Sequence, residues 1–155
     1  MGVHSFEEEV ASPVPPAKLF KAIVHDSDEI TPKVIPVIQS IEIVEGNGGP
    51  GTVKKITAVE DGKSSYVLNK VDAIDEGSHT YEYSIIGGTG FQESLEKVSF
   101  KTKLEAAADG GSKVKITVIF HTKSDAPLTE EIQQDIKQKS VGIFKGIEGY
   151  ILANS

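Results

Sequence analysis

Alternating apolar and polar positions dominate the middle of this chain. Val114, Ile116, Val118 and Phe120 fall on one side of a strand expected over 112–122. Similar period-two runs over 53–59, 65–75, 79–87 and 93–105 predict four more, and Ile41-Glu42-Ile43-Val44-Glu45 predicts another ahead of them. The separators are turn chemistry: Asp61-Gly62, Asp75-Glu76-Gly77, Gly87-Gly88-Thr89-Gly90 and Asp109-Gly110-Gly111. Short turns of this kind join antiparallel neighbours. Residues 3–11 suit a first strand, ended by Ser12-Pro13-Val14-Pro15-Pro16. Pro16 is well placed to open a helix, on which Leu19, Phe20 and Ile23 share a face. Asp26-Ser27-Asp28 breaks that helix and caps a second short one, which must be over by Pro36.

From about Thr129 the period changes from two to that of a helix. Thr129 is the expected N-cap, and Glu130 and Glu131 in the first turn complement the helix dipole. Ile132, Ile136, Ile143, Ile147 and Ile151 then step by four or seven and make one apolar stripe. Gly142, Gly146 and Gly149 form a second, about 120° away at 3.6 residues per turn. Each glycine costs roughly 1 kcal/mol against alanine, so this stripe implies close packing or room for a ligand. Seven strands joined by hairpins and one long amphipathic helix make an α+β domain, expected to span 1–155 as a single unit.

Between the second and third strands lies Gly46-Asn47-Gly48-Gly49-Pro50-Gly51-Thr52. A phosphate-binding loop would run through Gly-Lys-Ser/Thr into a helix; here Gly51-Thr52-Val53-Lys54 displaces the lysine and enters a strand, which favours a structural hairpin. Glu45 through Thr52, followed by Lys54-Lys55, resembles the glycine-rich signature of the class-ten pathogenesis-related plant proteins, the group of the major birch-pollen allergen. Further segments are similar in the same order: Met1-Gly2-Val3, Pro16 to Ala22, Leu95 to Ser99, Phe120 to Asp125 and Ile147 to Asn154. The resemblance covers essentially the whole chain. It departs at Ser124, where many members carry glycine, and at Ser155, where a short tail is often present. It implies a strongly curved seven-stranded antiparallel sheet gripping the C-terminal helix, with two short helices after the first strand: a helix-grip, START-like fold.

The chain has 155 residues, enough to bury about 70% of its unfolded surface without staples. It has no cysteine, which excludes disulfides, thiolate metal sites and a cysteine nucleophile. No metal-ligand spacing is present, and no metal or cofactor is expected. Residues 1–11 carry Glu7, Glu8 and Glu9 and no apolar run, so a cytoplasmic location is expected, with the nucleus as an alternative, and no membrane association. A net charge of −7 opposes approach of nucleic acid. Lys97, Lys101 and Lys103, with Lys113 and Lys115 nearby, read as a solvated outer face. A monomer is expected.

Strand parity locates candidate chemistry. Tyr81, Tyr83 and Ile85 share one side of their strand, and Val98, Phe100 and Leu104 share a side with Glu96. If these faces and the Val114–Phe120 face point inward, so do Lys54 beside Ile56 and Ala58, and Asn69 between Val67 and Val71. Lys54, Asn69, Tyr81, Tyr83 and Glu96 are too many polar groups for a dry core; they must meet one another, water or a bound molecule. Apolar walls with a few convergent polar groups describe a small-molecule site. The expected ligand-facing set is these five with Ile56, Val67, Ile85, Val98, Phe100, Ile116 and Val118. Lys139, Gly142 and Ile143 add the helix side. The resemblance implies that the partner is an amphipathic small molecule, such as a flavonoid, cytokinin or steroid, held in a large internal cavity.

Catalysis is the rival. The resemblance implies a ribonuclease proposal resting on Lys54, Glu96, Glu148 and Tyr150, all present here. Glu148 and Tyr150 are about 200° apart around a helix, so they cannot face one substrate unless the last turn unwinds. Among the histidines only His4 and His121 are placed to meet, through pairing of the first and last strands. Regulation of a protein phosphatase, as in distant hormone-receptor relatives, is a third reading, with no supporting motif in this chain.

Overall fold

A computed structural model describes residues 2–123 and 126–154. Strand β1 (Gly2–Ser12) leads into α1 (Pro16–Phe20), which continues as a π-helical turn over Lys21–His25 before α2 (Ser27–Val34). Then come β2 (Ile38–Glu45), β3 (Val53–Glu60), β4 (Lys63–Asp75), β5 (Thr80–Gly87), β6 (Leu95–Ala106) and β7 (Ser112–Thr122), and finally α3 (Glu130–Ala153). The strands form one curved seven-stranded antiparallel sheet in the order β1-β7-β6-β5-β4-β3-β2. β1 and β2 therefore lie at opposite edges, and α1, the π turn and α2 carry the chain from one edge to the other.

The element boundaries follow the expected local chemistry. Pro16 opens α1, and α2 stops at Val34 because Ile35, which precedes Pro36, is extended. Asp26 stands at the N-cap of α2, but its carboxylate makes no capping bond; it takes Lys21 Nζ at 3.0 Å instead. Thr129 does cap α3, its hydroxyl accepting the Ile132 amide at 3.2 Å. The π turn left no trace in the residue pattern.

Two register shifts in each of the β2–β3 and β4–β5 pairs, and one between Leu95 and Lys97 in β6–β7, bend the sheet. On its inner face Val98, Phe100, Leu104, Val114, Val118 and Phe120 pack against Leu19, Phe20 and Val24 from the helical crossing and Phe144, Ile147 and Ile151 from α3. The outer lysines are solvated and partly balanced, as Glu105 lies 3.6 Å from Lys115 and Glu9 lies 3.8 Å from Lys113. His4 and His121 do not meet: Val3 pairs with His121 and His4 with Phe120, so the two imidazoles leave on opposite faces.

Candidate functional site

β3, β4 and β5 carry the inner-face polar groups. Their register runs Lys54 opposite Asn69, Asn69 opposite Ile85, and Ile56 opposite Val67, which puts all five on one face. Lys54 is fixed to that face by Asp28 of α2, Nζ to Oδ1 2.8 Å, with its side chain only 9% exposed. A buried charge of this kind persists only when paired. Its neighbour Asn69 is not so served: the side-chain oxygen is buried and has no hydrogen-bond partner among the described residues. An orphaned acceptor costs about 1–3 kcal/mol, so a donor from water or a bound molecule would relieve it.

Tyr83 forms the next part of the wall. Its ring stacks on Phe100 at 4.9 Å and leans on Tyr81 at 5.1 Å. Burial pushes its hydroxyl up to about 12, offset in part by a hydrogen bond with the Ser140 side chain on α3. The Tyr81 hydroxyl is raised further above its ordinary value, chiefly by burial and then by the charges of Tyr83, Asp28 and Asp72. Both tyrosines are thus neutral donors at physiological pH.

Apolar residues around this cluster fall into two classes. Val98, Phe100, Ile116 and Val118 are buried in the core, whereas Ile56, Ala58, Val67, Tyr83 and Ile85 keep part of their surface accessible although they share the inward face. α3 repeats the contrast. Phe144, Ile147 and Ile151 in its second half are buried; Ile132 and Ile136 in its first half, and Ile143 just past its midpoint, are only partly so. The backbone of α3 meets α2 and the π turn more extensively than it meets any strand. The partly accessible inward residues of β3–β5 face α3, to which Tyr83 is tied through the side chain of Ser140. Open depressions of about 250 and 740 Å³ share Gln92 of the β5–β6 connection; the larger also reaches Ile132, Asp135 and Lys139 of α3.

Three expected ligand-facing residues lie elsewhere. Glu96 is exposed: the register shift between Leu95 and Lys97 turns Leu95 inward and breaks the alternation with Val98. Lys139 is exposed at the rim and paired with Asp135 at 3.1 Å. Gly142 is exposed, with open space where a Cβ would stand, because the inward arc of α3 passes through Ser140 and Ile147 on the opposite side. Ile143 remains on the inner arc and half-buried.

The ribonuclease quartet does not converge. Lys54 on β3 is three strand spacings, about 14 Å, from the β6 position of Glu96. α3 runs unbroken to Ala153, so Glu148 points into the core while Tyr150 lies beneath Lys33 Nζ, 5.8 Å from its ring centre. Glu148 Oε2 is itself buried with no hydrogen-bond partner among the described residues, while Oε1 lies 3.6 Å from Lys145 Nζ.

Four amides of the glycine-rich loop are engaged, three within the loop and one on β4. Gly48 donates to Thr52 Oγ1 at 2.8 Å, Gly49 to Asn47 Oδ1 at 3.1 Å, Gly51 to Val71 O at 2.8 Å and Thr52 to Gly49 O at 3.1 Å. Pro50 has no N–H, so every amide from Gly48 to Thr52 is already engaged and none of these is open to a phosphate. Gly46 is required at φ +93°, where a Cβ would come 2.7 Å from Thr52 Cα.

Over residues 1–154 the chain matches the model of the pathogenesis-related protein Bet v 1 family. The chain belongs to that family. It is 60% identical over 154 residues to Protein LlR18A of Lupinus luteus, covering 99% of this chain and 98% of the relative. Class-10 pathogenesis-related protein 1 of Medicago sativa is 54% identical over the same share of each chain. The crystal structure of Ara h 8.0201 superimposes with a TM-score of 0.94 at 77% identity, covering 98% of this chain and 99% of that one. For this Bet v 1 family member the inner face also holds groups that sequence reading missed. Asp28 and Ser140 are one kind: their partners are far away in the chain, and no local pattern marks them. Glu8 is the other kind: it lies two residues from Phe6 and from Val10, so parity alone would have turned it inward.

Proposed function

We propose that this chain is a single ligand-binding domain that takes amphipathic small molecules, of flavonoid, cytokinin or other hormone-like, or steroid-like character, between β3–β5 and the first half of α3. The observation that carries the reading is the buried, unpartnered Asn69 oxygen set among inward apolar residues that remain accessible. Such a surface gains on burying an apolar body, at about 25 cal/mol per Å², and Asn69 and Tyr83 orient a ligand's hydroxyl or amine. The role is that of an intracellular defence or stress protein, acting as a monomer in the cytoplasm or nucleus. No described helix is long and apolar enough to cross a membrane. Binding in this hollow is favoured over catalysis because Lys54, Glu96, Glu148 and Tyr150 do not converge.

The test is titration with phenylnaphthylamine, an uncharged environment-sensitive dye, followed by fluorescence and near-UV circular dichroism. Saturable binding of roughly micromolar affinity, near −8 kcal/mol, is expected with tertiary structure intact. Signal that rises without saturation, or only as the near-UV spectrum is lost, rejects the reading.

A further inference from the structure

Two lysines enter the inner face, and they are held very differently. Lys54 is locked in a hydrogen-bonded ion pair, with Asp28 at 2.8 Å. Lys137, on α3, is not. At 3.6 residues per turn, Ile136, Lys137, Ser140, Ile143 and Ile147 lie within one arc of about 120°, the arc that faces the sheet. The Lys137 ammonium stands 5.4 Å from the Phe6 ring centre and 3.6 Å from Glu8 Oε1, just beyond hydrogen-bond reach. Glu8 and Phe6 pair across β7 with Ile116 and Val118, whose side chains belong to the core, so both belong to the inner face of the edge strand. Glu8 keeps 40% of its side chain exposed and Lys137 26%. An ammonium has three N–H donors and no acceptor, and at this distance Glu8 neutralises the charge without taking a proton.

We infer that Lys137 is the anion subsite of the hollow, selecting amphiphiles that carry a carboxylate or sulfonate. The inference rests on the ligand-binding reading and names the ligand class within it. An apolar body lying against Ile136, Ile143 and Tyr83 places an acidic head beside the Lys137 ammonium. A close charge-assisted hydrogen bond then replaces the loose contact with Glu8, whose carboxylate turns to water. The net charge of −7 does not oppose this, because a small ligand seated against the ammonium feels that near charge more than distant ones screened over about 8 Å.

Two dyes of similar body separate the subsite from the hollow: anilinonaphthalene sulfonate, which is anionic, and phenylnaphthylamine, which is neutral. Lys137→Met is expected to weaken the sulfonate dye about tenfold while changing the neutral dye less than about twofold. Lys137→Arg should restore most of the loss, and Glu8→Gln should tighten the sulfonate dye alone, by about threefold, since a competing carboxylate is gone. Lys137 is partly exposed, and unchanged near-UV circular dichroism of each variant secures the comparison. Equal losses for both dyes in Lys137→Met, or no loss for either, overturn the anion subsite while saturable neutral-dye binding leaves the hollow standing. Failure of the wild-type protein to bind either dye overturns both.

Discussion

The two halves of α3 share one apolar stripe but have different surroundings. In the second half, Phe144, Ile147 and Ile151 are buried with the residues of β6 and β7, and Gly146 brings the helix against Val34 and Ile35 of the α2 end. In the first half, Ile132 and Ile136, with Ile143 just past the midpoint, point the same way and stay partly accessible, opposite the polar cluster of β3–β5. One end of the helix therefore anchors the fold and the other covers the proposed binding hollow. Stability and binding are divided along a single element, and substitutions in the two halves should separate them.

The largest expected effect is on the anchored side. Ile147, buried in this half, should cost about 2–5 kcal/mol on replacement by alanine, through lost transfer energy and an unfilled cavity. Ile136→Ala removes surface that is already partly wet and should cost about 1 kcal/mol, while weakening phenylnaphthylamine. Urea unfolding and dye titration on the same preparations check both. Comparable destabilisation by the two substitutions would mean that the first half of α3 is as tightly packed as the second.

A smaller effect is expected in alkali. Burial raises the Tyr83 hydroxyl from 10.0 to about 12 in the folded state, so the fold binds that proton more tightly than the unfolded chain does. The corresponding stability is fully present below pH 10 and is lost as pH rises through about 12. Its size is on the order of 2 kcal/mol. Tyr83→Phe should flatten this part of the pH–stability curve and remove one late step from the phenolate absorbance titration. An unchanged late step would place Tyr83 in water and weaken the case for a shielded wall.

Much of this wall was legible in the sequence, for a physical reason. Parity holds wherever a ladder runs without a bulge, and the unbroken β3–β4 register carried Lys54, Ile56, Val67 and Asn69 to the inner face. Glu96 failed because one register shift, invisible in composition, exchanges it with Leu95. On α3 the isoleucine stripe gave the direction of the inner arc, yet Lys139 was expected there in place of Lys137, two residues and about 200° away. The partner of Lys54 was not legible at all: Asp28 lies 26 residues away on a helix whose docking no local pattern encodes.

The smallest effects concern the glycines of α3, and they cut the comparison most finely. A Cβ at Gly146 would stand 3.0 Å from Val34 Cγ2 and 3.1 Å from Ile35 Cδ1, tighter than ordinary contact, whereas at Gly142 and Gly149 it would meet nothing within 4 Å. None of the three has φ in the left-handed range, so alanine suits the backbone at each. Gly142→Ala and Gly149→Ala should therefore each stabilise the protein by about 0.5–1 kcal/mol, the helix-propensity gain with no clash to offset it. Gly146→Ala receives the same gain but must move the α2 end by a few tenths of an ångström, so its net change should be smaller or negative. Thermal unfolding of the three variants measures the difference directly. If all three gain equally, the α2 contact yields freely and the second half of α3 is not the anchor; a loss at Gly142 would instead require something to occupy the space outside the helix there.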